Sequence, residues 1–338
     1  MKFSKGKIVF LLFAAIVTYF LSSYKLPFYI QKPGGADALN PIVEVADGYE
    51  SEGDMHLVTV SGMQATPLFY ALAKIAPYND IMPIEDVFPD GISQEEYMEA
   101  QLQVMETSQE AATVVAYTAA GADIEIEYKG VYVVSVLKDR PADGILQSGD
   151  RIIAVDGNEI KEAEDLINYI QTREAKDIVT VEFIRGDKTM TDTIELDVID
   201  EADGKIGIGI TLVTDREVTV HPEVEFSSGK IGGPSAGLMF SLEIYDQLTE
   251  EDLTRGYHIA GTGEIDYEGN VHRIGGIDKK IVAADKEGID IFFAPNENGK
   301  EGSNYEIAVK TAEAIGSDMK IVPVDTFDDA LNFLKSLQ

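Results

Sequence analysis

The sequence predicts an α+β protein in which one domain is interrupted by another, the whole preceded by a single N-terminal transmembrane helix. Three observations predict it. Residues 8–24 form an uncharged apolar run behind Lys2, Lys5 and Lys7. Residues 124–198 alternate in short β-type runs around one helical stretch, whereas the flanking segments mix strand and helix signals. Two glycine-led helix starts, Gly232-Gly233-Pro234-Ser235-Ala236-Gly237 and Gly275-Gly276-Ile277-Asp278-Lys279-Lys280, both fall in the C-terminal segment. The expected divisions are 1–30 for a cytoplasmic tip and anchor, 36–120 and 200–338 for two parts of the larger domain, and 121–199 for the insertion.

As a helix the apolar run is about 26 Å long, slightly under a hydrocarbon core of about 30 Å, and Leu26 to Ile30 would extend the membrane-proximal segment. Lysines stay on the cytoplasmic side, so the rest of the chain is expected outside the cell membrane. A cleaved signal peptide is the competing reading. No Ala-x-Ala-like site follows the run, and Leu21-Ser22-Ser23 is the nearest substitute.

Pro41 to Val45 and His56 to Val60 read as strands, and Gln94 to Tyr117 as a long helix. In the insertion, Gly130 to Val136 reads as a strand, the run Ser148 to Gly157 carries a second one, Glu162 to Thr172 reads as a helix, and Ile178 to Arg185 as a strand ending in a Gly186-Asp187 turn. Strands Ile206 to Val213 and Arg216 to His221 lead into the serine segment. After Lys280 the chain alternates again, with strands at 289–294 and 320–324 and helices at 304–315 and 326–337. Thr326 is suited to an N-cap, with Asp328 and Asp329 in the acidic first turn.

Composition narrows the chemistry. A net charge of −33 argues against nucleic-acid binding, which needs a cationic face, and predicts repulsion from anionic surfaces. The absence of cysteine removes disulfides, thiol catalysis and thiolate metal sites. No phosphate loop for ATP occurs; Ser228-Gly229-Lys230 lacks both the leading glycine spacing and the following hydroxyl. The histidines, at 56, 221, 258 and 272, are scattered, outside any metal-binding or catalytic-triad context, so neither metal nor cofactor is expected.

Pro234 fits the first position of a helix, which sets Ser235 in the first turn, near free backbone N–H groups able to hold an oxyanion. An ordinary helix cap is the plain alternative. Two lysines at 279 and 280 occupy the unfavourable positive end of a helix dipole. A lysine acts as general base only when neutral, so its pKa must fall about three units, which burial favours. For Lys279 a solvated surface position is expected.

The strings Gly233-Pro234-Ser235-Ala236-Gly237, Thr262-Gly263-Glu264-Ile265 and Ile274-Gly275-Gly276, with Lys280 four residues on, resemble the proteolytic domain of the Lon family. The resemblance implies that Ser235 is the nucleophile, that Lys280 is the base and that Thr262 holds the amine, with Gly233, Pro234 and Ala236 supporting around the oxyanion. ATP-dependent members often carry an acidic residue where this chain has Gly232. Glu264, close to Thr262, is a candidate for a supporting role.

Residues 124–198, with Gly149-Asp150 turning into an apolar strand, are similar to a PDZ domain of the bacterial protease-associated type. That similarity implies capture of an extended peptide, with Gly130, Val131, Tyr132 and Val133 as the carboxylate loop and pairing strand, and Leu166 and Ile170 as groove floor or core. Anchor, PDZ module and Lon-like domain without an ATPase together resemble a family of membrane-anchored Gram-positive surface proteases. The family implies ATP-independent limited proteolysis of short exported or membrane-tethered peptides, and a homo-oligomer is compatible with it. A catalytically inert membrane-anchored PDZ adaptor is the alternative.

Overall fold

The computed structural model describes residues 5–88, 94–199 and 204–337; Lys2 lies outside them. The chain divides into two compact units, one formed by residues 1–123 with 220–338 and the other by residues 124–219.

The first unit is built on a six-stranded mixed sheet in the order Lys320–Val324, Ile291–Pro295, His258–Gly261, Asp54–Gln64, Phe28–Ala38, Asp80–Pro83. The first four strands run parallel, and the last two are antiparallel to their neighbours. Successive residues of a strand face opposite sides, and here each side finds its own helices. Phe292 and Ala294 bury against Ile281 and Ala284 of helix Ile277–Glu287 and Ala308 of helix Asn304–Ile315. Phe293 faces the other way and meets Phe333 of helix Phe327–Lys335 edge-on. Helix Gly237–Leu248 lies on that same side: a Cβ on Gly261 would sit 2.7 Å from the Met239 sulfur, so only glycine admits the helix this closely. The long helix Gln94–Ala120 covers it, burying Met105, Ala111, Ala112 and Tyr117.

Three features differ from the sequence expectation. Residues 28–38 are a strand paired on both sides, with Ile30 2% exposed, instead of an extension of the membrane-proximal segment. A short helix Pro67–Ala73, capped by Thr66, was not foreseen. The segment expected as an anchor forms helix Lys5–Ser23, and among the described residues no helix is long and apolar enough to cross a membrane. Its 19 residues span about 28 Å at about 1.5 Å per residue.

The second unit is a sheet in the order Ile210–His221, Asp123–Val136, Arg151–Val155, Ile178–Arg185, Lys188–Glu195, with Asn158–Glu159 beside the third strand. Val131, Val133, Ile152, Val181 and Phe183 bury against Leu166 and Ile170 of helix Ala163–Gln171. Strand Ile210–His221, expected to lead the catalytic half, edges this sheet instead. The Gly149-Asp150 turn has a clear cause. Asp150 is fully buried, and the Arg185 guanidinium donates to both its oxygens at 2.7 and 2.6 Å, which neutralises a charge otherwise costly to bury.

Candidate active site

The site lies where strand His258–Gly261 ends while its neighbour Asp54–Gln64 continues. Helices from opposite faces of the sheet bring side chains together past that end. On one side, Gly233 takes φ 92°, a left-handed conformation that favours glycine, and Pro234 opens a 3₁₀ turn, Pro234–Ala236, leading into helix Gly237–Leu248. Ser235 sits half-buried in that turn. Its carbonyl accepts hydrogen bonds from the Gly263 amide and the Thr262 hydroxyl, both at 2.9 Å, and the Ser108 hydroxyl donates to the Pro234 carbonyl at 3.0 Å. A Cβ on Gly237 would come within 2.7 Å of the Ser108 hydroxyl and 2.8 Å of an Ile265 methyl group. The turn is clamped from three directions.

On the other side Gly276, at φ 68°, caps helix Ile277–Glu287, and Lys280 stands in its first turn. The Lys280 Nζ lies 2.7 Å from Ser235 Oγ and 2.9 Å from Thr262 Oγ1. Lys280 is 4% exposed and Thr262 fully buried. Among the described residues no carboxylate pairs with Lys280. Burial therefore acts unopposed and lowers its pKa from 10.5 to about 7.

Lys279 behaves oppositely. It is buried, contrary to the surface position expected, because its amine donates to Asp80 and Asp278. Burial pulls its pKa down, but those hydrogen bonds outweigh it and the net displacement is upward. One helix turn thus carries a charged lysine that ties it to strand Asp80–Pro83 and, next to it, an amine with no acid to hold its proton.

Of the three residues expected around an oxyanion, Gly233 is already committed: its amide donates to the Gln101 carbonyl at 2.9 Å. Pro234 has no N–H. Donation to an oxyanion falls to the amides of Ser235 and Ala236. Glu264 stands exposed on the rim. His272 pairs with Asp266 at 2.9 Å and His258 with Asp54 at 3.4 Å, away from Ser235.

Ser235 and Lys280 open into a cleft of about 690 Å³. One wall is Leu57 to Val60 and Gly62; the other is formed by residues 231–236 and by Tyr97, Met98, Gln101 and Met105 of the long helix. Strand Asp54–Gln64 pairs with His258–Gly261 only as far as Leu57. Among the described residues no strand continues that pairing, so a backbone edge faces the cleft. Gln101, Ser108 and this edge went unread in the sequence, because they come from residues 36–120, which carry no motif.

In the second unit the expected peptide-binding residues Gly130, Val131, Tyr132 and Val133 do not line its apolar groove. Val131 and Val133 are fully buried, Val131 pairs with Ile152, and their strand lies inside the sheet with neighbours on both sides. An interior strand has no edge to offer a peptide. A groove of about 470 Å³ instead runs between helix Ala163–Gln171 and residues 205–212, lined by Leu166, Ile167, Ile170, Ile208, Ile210 and Leu212. The strand at that side of the sheet, Ile210–His221, is its edge. Gly207-Ile208-Gly209 was the sequence signal for it.

The first unit thus sets a serine, in the turn before a helix, against a buried amine, and the chain also carries a small β unit. Residues 188–336 match the Lon protease (S16) C-terminal proteolytic domain, and residues 117–196 match the PDZ domain. Similar curated proteins are the Lon proteases of Campylobacter concisus, 36% identical over 116 residues, covering 34% of this chain and 14% of that protein, and of Campylobacter jejuni, 34% identical over 142 residues, covering 40% and 17%. The chain thus spans only about a sixth of the length of such relatives. Among solved structures, the PDZ domain of the SdrC-like protein from Listeria monocytogenes is 40% identical, covering 26% of this chain and 93% of that one with a TM-score of 0.25.

Proposed function

We propose that the protein is an ATP-independent serine endopeptidase with a Ser235/Lys280 dyad, tethered at the outer face of the cell membrane, which cleaves short exported or membrane-tethered peptides. The observation that carries the reading is the 2.7 Å contact between Ser235 Oγ and a buried Lys280 amine with no acid partner. Neutral Lys280 takes the Ser235 proton as Oγ attacks the scissile carbonyl carbon. The amides of Ser235 and Ala236 hold the resulting oxyanion. Collapse breaks the C–N bond, and the leaving amine receives the proton from Lys280. Lys280 then deprotonates water to release the acyl group from Ser235. Thr262 holds the amine in line with Oγ.

The open edge of strand Asp54–Gln64 suits a substrate that arrives already extended, since it pairs through backbone groups. The groove between helix Ala163–Gln171 and residues 205–212 would capture a peptide in the same manner, with the amides around Gly207 to Gly209 receiving a terminal carboxylate. The tether is the uncharged run of residues 8–24, whose Phe10, Leu12, Phe13 and Ile16 are all exposed.

The test is direct. The protein is incubated with a library of extended peptides and the products are read by mass spectrometry, alongside Ser235→Ala and Lys280→Ala. Cleavage by the parent and by neither variant supports the dyad; equal cleavage by Ser235→Ala would refute it, and no cleavage by the parent would leave a peptide-binding adaptor.

A further inference from the structure

Helix Pro67–Ala73 turns its apolar side chains the wrong way for a protein in water. Its inner side, Tyr70 and Ala73, closes over Ile30 and Ala65. Its outer side carries Leu68, Phe69 and Leu72 at 41, 39 and 47% exposure, continued by Ile75 at 80%. Residues 68, 72 and 75 follow the i, i+4, i+7 spacing of one helical stripe. A contiguous exposed apolar patch is uncommon on a soluble surface and marks a contact.

What covers it is indicated by its neighbour. The helix lies against helix Lys5–Ser23, whose Tyr19 and Phe20 are likewise exposed, at 73 and 52%. The junction is held by backbone and side chain, Leu26 N–H donating to the Ala65 carbonyl at 2.8 Å and the Gln64 amide to the Leu26 carbonyl at 3.1 Å. Its rim carries Lys25, Lys74 and Tyr24, the residue types that sit at a headgroup boundary, and Lys74 lies over the Tyr70 ring at 5.1 Å. The lysines can reach headgroup phosphates from this edge, and a net charge of −33 on each chain opposes seating a second copy there.

We propose that Leu68, Phe69, Leu72 and Ile75 form a second membrane contact, lying in the headgroup region beside the N-terminal helix. The proposal rests on the membrane location given above, though not on the N-terminal helix crossing the bilayer. Its consequence concerns the cleft. Strand Asp54–Gln64 runs from the cleft wall into this helix, and Val60 lies four residues before Gln64, about 13 Å along the strand at about 3.3 Å per residue. With the stripe seated in lipid, the cleft is held close to the membrane surface, where it meets peptide segments emerging from the bilayer.

The full chain has no cysteine, so single reporters are straightforward. Phe13→Cys, Leu72→Cys and Lys300→Cys are each labelled with a polarity-sensitive fluorophore and mixed with phosphatidylcholine and phosphatidylglycerol vesicles containing a shallow acyl-chain quencher. The expected result is quenching at positions 13 and 72 and none at 300. Quenching at 13 alone overturns the second contact and leaves the tether standing; quenching at neither removes both. A blue shift at 72 that grows with protein concentration and is blind to the quencher identifies a self-association face and also overturns the proposal. Independently, Leu72→Glu combined with Ile75→Glu should slow cleavage of a vesicle-anchored peptide about tenfold while cleavage of the same peptide free in solution is unchanged. Equal loss on both substrates, or on neither, would count against it.

Discussion

Replacing Lys280 by methionine should abolish peptide cleavage and at the same time stabilise the catalytic unit. The lysine is buried without an acid, and its pKa falls from 10.5 to about 7. At about 1.4 kcal/mol per pH unit, burying that amine costs the folded state roughly 5 kcal/mol well below pH 7, where it is charged, and roughly 4 kcal/mol at pH 7. Methionine is similar in length and carries no charge, so it escapes this cost. It also forfeits two hydrogen bonds, to Ser235 and Thr262, worth about 1 kcal/mol each. The net expectation is a gain of about 2 kcal/mol at pH 7. The sign of its pH dependence follows from the depressed pKa: between about 7 and 10.5 the unfolded chain holds the extra proton, so the parent gains stability as pH rises and the variant's advantage shrinks. Hydrogen exchange of peptides covering residues 237–248 and 277–287, followed at about pH 6, 7.5 and 9, isolates this unit from the other. A variant that is less stable than the parent at all three pH values, or whose difference is independent of pH, would refute an unpaired neutral lysine.

Three further outcomes follow from the same geometry. The kcat/KM of the parent should rise with pH through about 7, with a slope of one proton, as Lys280 loses its charge; a flat profile would assign the base elsewhere. Thr262→Val removes the hydroxyl 2.9 Å from the Lys280 amine without changing volume much, and should lower kcat by about tenfold with KM little altered, read with a short chromogenic peptide. Ile167→Glu, which places a charge on the groove beside residues 205–212, should weaken capture of longer peptides by the second unit while short peptides are cleaved as before, checked by fluorescence anisotropy and turnover in parallel.

The parts of the site carried by strings of residues were legible before the fold was known. Glycines with positive φ at 233 and 276, a proline opening a turn and a lysine four residues beyond Gly276 leave local marks because local backbone geometry demands those residue types. The partners contributed by residues 36–120 left none. Gln101, Ser108 and the edge of strand Asp54–Gln64 reach the serine only through tertiary packing, and an ordinary helix or strand needs no particular residue there. The burial of Lys279 leaves no local mark for the same reason: it depends on Asp80, 199 positions away. The peptide strand of the second unit was misplaced because an apolar run such as Val131 to Val134 reads identically in an interior strand and in an edge strand. Only the strand order separates the two.

The serine helix carries a second buried titration that opposes the first. Glu243, in the middle of helix Gly237–Leu248, is 5% exposed, and burial raises its pKa from 4.5 to about 7 despite a 2.7 Å hydrogen bond from Gln247. Between those values the folded state binds the proton that the unfolded chain has released, so this group makes stability fall as pH rises. The full drop is about 3 kcal/mol at about 1.4 kcal/mol per pH unit. Lys280 begins to add stability with pH where Glu243 stops removing it, so together they set a minimum near pH 7. That minimum coincides with the pH at which half the lysines are neutral, which places the onset of the active protonation state at the least stable point of the domain. Glu243→Gln should raise stability chiefly above pH 7, Lys280→Met chiefly below about 8, and the double variant should lose the minimum. Exchange profiles in which the double variant keeps the dip would assign it to other carboxylates and separate stability from the state of the dyad.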